Sequence, residues 1–179
     1  MKEDIVRMAK AIDFAARAHT PQRRKGEAEE PYVNHLAEVA LLVAEATQGA
    51  DANLVIAAYL HDTIEDQEVE YETLAAEFGR DVADLVREVT DDKTLPKAER
   101  KRLQVEHARS ATSRAKHIKL ADKISNLSSI LASPPADWSA ERKREYFEWA
   151  AKVVAGCRGV NPWLEARFDA AYARRTELG

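Results

Sequence analysis

The sequence predicts an all-α protein, a helical bundle of about eight to ten helices that forms one domain over residues 1–179. Three observations support this prediction. Apolar residues recur with the spacing of an amphipathic helix through most of the chain. The six glycines and six prolines are too few for a turn-rich β fold. No stretch shows a convincing pair of strands or a linker between two domains.

The first predicted helix keeps its apolar period from Ile5 to Ala16 and ends near Pro21, because proline cannot continue a helix. A polar loop, residues 22–31, follows, with a basic first half and an acidic second half. The second helix is predicted to have Asn34 as its N-cap, since an asparagine side chain can accept hydrogen bonds from the first backbone N–H groups.

The third predicted helix is an apolar run, residues 54–60, that ends in His61 and has Asp51 as its N-cap. His61 follows Leu54 by seven residues and Ala57 by four, so the three share one helix face. The imidazole of His61 is therefore expected to point toward the core.

Six further helices are predicted from the same periodicity, and they cover residues 71–78, 82–89, 97–109, 115–131, 140–154 and 164–171. Gly79 stops the first of these, and Pro96 suits the first turn of the third. Ser139 is the expected N-cap of the fifth.

The composition of the chain argues against several classes of protein. The net charge of −4 gives no support for bulk nucleic-acid binding. The single cysteine, Cys157, excludes an intramolecular disulfide, and we expect it to be a buried small apolar residue. The N-terminal residues are too polar for a signal peptide, and no apolar run reaches membrane-spanning length. We expect a soluble cytoplasmic protein with a small-molecule substrate and without an obligate protein partner.

The residues with the most chemical potential lie directly after the third helix, in residues 61–66. Burying an imidazole beside three carboxylates is costly unless a cation compensates their charge. His61 and Asp62 can both turn toward one divalent ion near the helix end. Glu65 and Asp66 follow them by four residues each and thus lie on the same face. The segment predicts a metal-binding pair followed by an acid–base pair.

Two other helices offer partners for this segment. His35 lies in the first turn of the second helix, and Asp122 and Asn126 lie four residues apart on a later one. One side chain from each helix would complete a site of two imidazoles and two carboxylates. This ligand set suits Mn²⁺, Fe²⁺ or Zn²⁺, and it leaves positions open for water and a phosphate oxygen.

These residues resemble the H…HD…D signature of HD-domain metal-dependent phosphohydrolases, with His35, the pair His61–Asp62, and Asp122 in its order. The match is closer to the hydrolase half of Rel/Spo alarmone enzymes and to their stand-alone metazoan SpoT-homologue relatives of the Mesh type. The matching blocks cover nearly the whole chain and are residues 24–25, 31–35, 61–66, 89–97, 120–127 and 145–151.

The resemblance implies an HD-type bundle that hydrolyses guanosine 3′,5′-bis(diphosphate) and the pentaphosphate at the 3′ position, releasing pyrophosphate, with Mn²⁺ bound. It implies four metal ligands: His35, His61, Asp62 and Asp122. It also implies that Glu65 and Asp66 position or deprotonate the attacking water.

The resemblance also indicates which residues bind the substrate. Four basic residues suit an anionic ligand: Arg24, Lys25, Lys97 and Arg142. Tyr146 could stack on the nucleoside or form a hydrogen bond with it, and Asn126 could hold the ribose or orient Asp122. The remaining histidines, His19, His107 and His117, are interpreted as surface or boundary residues.

Two alternatives stay open from the sequence. The same metal and carboxylates would serve a phosphatase that acts on another nucleotide, such as the 2′-phosphate of NADPH or a nucleoside monophosphate. A non-catalytic nucleotide sensor would keep the pocket for binding alone. The intact Glu65–Asp66 pair argues against a sensor, because binding does not require water-activating carboxylates.

Overall fold

The structure, a computed structural model, describes residues 2–178. In this range ten α-helices and one 3₁₀-helix follow one another: α1 (Lys2–Ala18), α2 (Val33–Ala46), α3 (Ala52–Leu60), α4 (Thr63–Gln67), α5 (Tyr71–Phe78), α6 (Arg80–Val89), α7 (Lys97–Ser110), α8 (Ser113–Ala132), α9 (Ala140–Ala155), α10 (Pro162–Ala173) and η1 (Arg174–Glu177). The all-α prediction is confirmed. The β structure in the described range is a single antiparallel bridge between Arg23 and Pro31, which closes the polar loop between α1 and α2.

Two of the predicted helix caps are present and one is wrong. The Asp51 side chain accepts a hydrogen bond from the Leu54 backbone N–H (3.0 Å), and the side chain of Ser139 caps α9 in the same way. Asn34 does not cap α2, because the helical backbone conformation already begins at Tyr32, with φ −60° and ψ −28°. Asn34 therefore lies inside the first turn.

Helix α3 runs through the middle of the core. It packs against α1, α2 and α6, and its residues Ile56, Ala57 and Leu60 are completely buried. Burying a side chain of the size of Ile56 or Leu60 contributes roughly 1.5–3 kcal/mol to folding. Helix α8 packs against α2, α6, α9 and α10. The ends of these two central helices are thus fixed by packing on several sides.

A polar network joins the N-terminal ends of α3, α6 and α8. The guanidinium of Arg114 donates hydrogen bonds to Asp51 and to Asp81, in both cases with a shortest distance of 2.8 Å. Asn53 donates to Asp81 as well (2.8 Å), and Arg7 on α1 donates to Asn53 (2.7 Å). The network sets the orientation of α8 relative to α3.

The interpretation of His19 as a surface or boundary residue is wrong. Its side chain is 2% exposed and stacks on Tyr32, with ring centroids 5.2 Å apart. The apolar period of α1 did not include position 19, because the residue lies past the helix end, where a turn folds it inward. Cys157 is buried, as predicted. No helix in residues 2–178 combines the length and apolar character needed to cross a bilayer.

Candidate metal-dependent active site

Three parts of the chain bring four polar side chains together. His35 lies in the first turn of α2, His61 and Asp62 lie between α3 and α4, and Asp122 lies in the middle of α8. Nε2 of His61 is 3.1 Å from Oδ2 of Asp62 and 4.0 Å from Oδ1 of Asp122. Nε2 of His35 is 3.6 Å and 3.3 Å from the same two oxygens. Each imidazole Nε2 therefore lies within 4.0 Å of both aspartates, which brings the four residues implied as metal ligands close together.

Hydrogen bonds at Nδ1 fix both imidazole rings. Nδ1 of His61 is 2.8 Å from the carbonyl oxygen of Ala58, which can only accept, so Nδ1 carries the proton. Nδ1 of His35 is 2.8 Å from Oγ of Ser125. Because Ser125 donates its hydroxyl hydrogen to Glu38 (2.6 Å), it accepts from His35. When such a ring is neutral, its Nε2 presents a lone pair to the carboxylates.

This arrangement fits a divalent cation. Ligand atoms of His35, His61 and Asp62 all lie within 4.8 Å of one another, and both Nε2 atoms are buried without a hydrogen-bond partner among the described residues. A lone pair facing a carboxylate is unfavourable unless a positive charge lies between them. Two imidazoles and two carboxylates are a suitable donor set for a first-row divalent metal ion.

In the metal-free protein, protons supply part of this positive charge. Burial by itself would lower the pKa of His61, but the carboxylates of Asp62 and Asp122 outweigh it and raise that pKa to about 9. Burial likewise opposes the charge on the two carboxylates, yet the pKa of Asp62 is held well below its usual range by the two imidazoles. A cation and a proton thus compete for the same nitrogen.

The two carboxylates are held by neighbours on their outer sides. The hydroxyl of Tyr32 donates to Asp62 (2.7 Å). Asp122 accepts hydrogen bonds from the ammonium of Lys123 (2.7 Å) and from the side-chain amide of Asn126 (2.6 Å). Asn126 in turn accepts from Arg24 (3.0 Å). The structure therefore places Asn126 against Asp122, one of the two positions considered for it.

The surroundings of Glu65 shift its pKa toward neutrality. Burial, reinforced by the charge of Asp62, raises the pKa of Glu65 to about 7. Its Oε2 accepts a hydrogen bond from the backbone N–H of Asp91 (3.1 Å). A carboxylate with a pKa near neutrality, beside a metal site, has the properties of a general base.

Asp66 is held by two side chains. Gln22 donates to its Oδ2 (2.7 Å), and the ammonium of Lys93 contacts its Oδ1. The side-chain amide of Gln67 donates to Oε1 of the Gln22 side chain (2.5 Å). This hydrogen bond orients the NH₂ group of Gln22 toward Asp66. Asp66 is thus a fixed hydrogen-bond acceptor at the edge of the site.

A cavity of about 300 Å³ opens over these groups. One wall of this cavity is formed by five polar residues: His61, Asp62, Glu65, Asp66 and Asp122. The structure brings four of the six predicted substrate-binding residues to this cavity: Lys25, Lys97, Asn126 and Tyr146.

A second cavity, of about 400 Å³, adjoins the first, and five residues line both: Lys25, Tyr32, Asp66, Asn126 and Tyr146. Arg24, the fifth predicted residue, lines this second cavity. Arg142 lines neither cavity. Its guanidinium instead covers the ring of Trp138, 4.4 Å from the ring centroid, and Trp138 lines the second cavity.

Several residues at the cavities were missed by sequence reasoning, namely Gln22, Tyr32, Lys93, Arg100, Lys101, Lys119, Lys123, Trp138 and Trp149. For α7 a signal was available. Arg100, Lys101 and Gln104 follow Lys97 by three, four and seven residues, which places all four on one helix face. For Gln22 and Lys93, which lie in loops, the local sequence contains no comparable signal.

The helical fold and the cluster of two histidines and two aspartates agree with the protein family that the sequence matches. The family model described as HD domain matches residues 11–157, so the chain belongs to the HD domain family. The predicted resemblance to this family is confirmed.

Within the HD domain family, the chain is similar to proteins of one named activity. The chain is 46% identical over 169 residues to the guanosine-3′,5′-bis(diphosphate) 3′-pyrophosphohydrolase MESH1 of Xenopus tropicalis, with 94% of each chain covered. It is 45% identical over 175 residues to the protein of the same name from Homo sapiens, with 98% of each chain covered. A solved structure described as a metazoan orthologue of SpoT that hydrolyses ppGpp matches with a TM-score of 0.91, 44% identity, and coverage of 94% of this chain and 95% of that one.

Proposed function

We propose that this protein hydrolyses guanosine 3′,5′-bis(diphosphate) and the corresponding pentaphosphate at the 3′ position, releasing pyrophosphate and GDP or GTP. The similar proteins from Xenopus tropicalis and Homo sapiens are named as 3′-pyrophosphohydrolases of guanosine 3′,5′-bis(diphosphate), and this supports the proposed substrate. The observation that carries the proposal is the pair of buried, unpartnered Nε2 atoms of His35 and His61, which face two aspartates beside Glu65.

We assign His35, His61, Asp62 and Asp122 as ligands of Mn²⁺, with Fe²⁺ or Zn²⁺ as substitutes. When bound, such an ion neutralises phosphate charge and lowers the pKa of a coordinated water. The hydrogen bonds from His61 to Ala58 and from His35 to Ser125 hold each ring with its lone pair directed inward.

Glu65 and Asp66 are the proposed catalytic carboxylates. Glu65 takes a proton from the attacking water, because its pKa of about 7 allows it to accept a proton near neutral pH. Asp66, held by Gln22, orients the water by accepting its second hydrogen. The water oxygen bonds to the phosphorus next to the 3′-oxygen, the bond between that phosphorus and the 3′-oxygen breaks, and the 3′-oxygen takes up a proton.

The two cavities suit the two parts of the substrate. We place the 3′-diphosphate in the first cavity, where Lys25 and Lys97 can offset its charge, and the nucleoside in the second, against Tyr146. Asn126 lines both cavities, and Arg24, which donates to it, lines the second; these two complete the proposed binding residues. Arg142 acts through the Trp138 ring that it covers.

We also propose that residues 1–179 form a single domain. This proposal is supported by one continuous cluster of buried apolar residues, to which helices from α1 to α10 contribute. Met1 and Gly179, the ends of that proposed domain, lie outside the described residues. The cytoplasmic location and the lack of a protein, membrane or nucleic-acid partner stay predictions from the sequence.

A substrate panel tests the proposed reaction. Purified protein with Mn²⁺ is incubated with guanosine tetraphosphate, NADPH and common nucleotides, and the released pyrophosphate and inorganic phosphate are quantified separately. Pyrophosphate from the first compound supports the proposal. Inorganic phosphate from NADPH alone would make the protein a phosphatase. Binding without turnover, unchanged in Glu65→Gln, would make it a sensor.

A further inference from the structure

We propose that Lys119, with Lys101 and Arg100, forms a subsite for the distal phosphate of a diphosphate ester and makes the enzyme prefer diphosphate over monophosphate esters. This inference rests on the proposed function. It deepens that function by naming the groups that distinguish a substrate releasing pyrophosphate from one releasing inorganic phosphate.

Lys119 is a buried lysine in the wall of the first cavity. It lies on α8, is 8% exposed and lines the first cavity together with His61 and Asp62. Between residues 2 and 178, no carboxylate pairs with its ammonium and no acceptor forms a hydrogen bond with it. Burying an unpaired ammonium is costly. A bound anion in the cavity would remove that cost.

Two residues of α7 add positive charge on the facing wall. The Lys101 ammonium lies 4.9 Å from the centroid of the Trp149 ring, and it too has no ion-pair partner in the described chain. The indole N–H of Trp149 donates to the Lys101 carbonyl (3.0 Å), which fixes this turn of α7 against α9. Nε of Arg100 is buried and unpartnered, and its guanidinium reaches Glu65 only at 3.9 Å.

The carboxylates of the cavity are engaged with other groups. Glu65 accepts from the backbone of Asp91, and Asp91 accepts from Gln104. Asp122 is paired with Lys123 (2.7 Å). Within residues 2–178, no ion pair offsets the charge of the Lys119 or the Lys101 ammonium, and a cavity wall with free ammonium groups suits a phosphate group.

The position of Lys119 fits a second phosphate. Lys119 precedes Asp122 by three residues on α8, so the two lie on one face, about 4.5 Å apart along the axis. In the proposed reaction, the phosphorus next to the 3′-oxygen lies at Asp122 and Glu65. The distal phosphate, attached through one bridging oxygen, extends one step further into the cavity toward Lys119. A monophosphate ester leaves this subsite empty.

The test compares two esters in one variant. Lys119→Met keeps the apolar stem and removes the charge, and kcat/KM is measured for guanosine 5′-diphosphate bearing either a 3′-diphosphate or a 3′-monophosphate. We expect a roughly 10- to 100-fold loss for the diphosphate ester and less than about a threefold change for the monophosphate ester. Calorimetric affinity for inorganic pyrophosphate falls in parallel. Lys116→Met is the matched control, because Lys116 lies on the same helix outside the cavity.

The outcomes separate this inference from the proposed function. Equal losses for both esters, or pyrophosphate affinity unchanged in Lys119→Met, overturn the subsite. Wild-type protein that binds pyrophosphate but cleaves neither ester overturns the proposed function and leaves the subsite supported. Removing an uncompensated buried charge should preserve or raise the melting temperature. If Lys119→Met does not fold, Lys101→Met gives the same comparison of esters, and an unchanged preference overturns the subsite.

Discussion

The hydroxyl of Ser125 lies 2.8 Å from Nδ1 of His35, on the side of the ring away from the two aspartates. Because Ser125 donates to Glu38, it presents only a lone pair to the ring and holds the proton of His35 on Nδ1. A buried serine on α8 thus determines which nitrogen of a residue on α2 faces the metal site. Such outer hydrogen bonds orient metal ligands and strengthen them as bases.

Replacing Ser125 with alanine should weaken metal binding. Without the acceptor, His35 loses the bond that fixes its tautomer, and we expect a roughly 10- to 100-fold loss of Mn²⁺ affinity measured by calorimetry. Ser128→Ala on the same helix should leave the affinity unchanged, because Ser128 lies outside the first cavity. Equal affinities in wild type and Ser125→Ala would show that the bond does not matter for the site.

Activity should rise with pH and level off above the pKa of Glu65. Burial raises this pKa to about 7, and only the deprotonated carboxylate can accept a proton from water. A bound cation favours the carboxylate, so we expect the inflection at or below pH 7, with about a tenfold fall in kcat/KM per pH unit below it. A profile of kcat/KM between pH 5 and 9 checks this. An identical inflection in residual Glu65→Gln activity would assign it to another group.

Metal removal should lower the melting temperature, and by more at higher pH. The folded-state pKa of His61, about 9, lies above its ordinary value of 6.5. Protonated His61 therefore stabilises the metal-free fold below pH 6.5, and this stabilisation is lost as pH rises through 9. A bound cation stabilises only the folded state. We expect the difference in melting temperature between the Mn²⁺-loaded and chelated protein to widen from pH 6.5 to 9. A constant difference would mean that no proton competes with the metal.

Part of the candidate metal site could be predicted from the sequence, because residues 61–66 are close together in the chain. The pair His61–Asp62 at a helix end, with Glu65 and Asp66 four residues later, places four groups on one face before any tertiary contact is considered. The apolar periodicity likewise predicted nine of the ten α-helices in residues 2–178 and missed the five-residue helix α4. The predicted N-cap Asn34 is wrong because it sets the start of α2 too late in the chain. The helical backbone conformation already begins at Tyr32, and the backbone of that turn determines where the helix starts.

The walls of the cavities depend on packing and could not be predicted in the same way. Lys101 faces the site because α7 packs against α9, and the sequence of α7 alone does not show which charged face is covered. Arg142 has the charge expected of a phosphate ligand, but it covers Trp138 instead. Which basic residue meets the ligand is thus decided by the rotation of each helix about its axis.

Arg114 should contribute to stability without affecting the chemistry. It binds Asp51, the cap of α3, and Asp81 on α6, so Arg114→Met removes two charge-assisted pairs and weakens the network that joins three helix ends. Because Arg114 and both carboxylates are partly exposed, solvent screening reduces the loss, and we expect about 1–2 kcal/mol in the free energy of unfolding by urea denaturation. Arg114→Lys should recover part of this loss, since lysine keeps the charge but cannot reproduce the forked geometry. A kcat changed more than about threefold in the folded variant would mean that the network also positions Asp122 through α8.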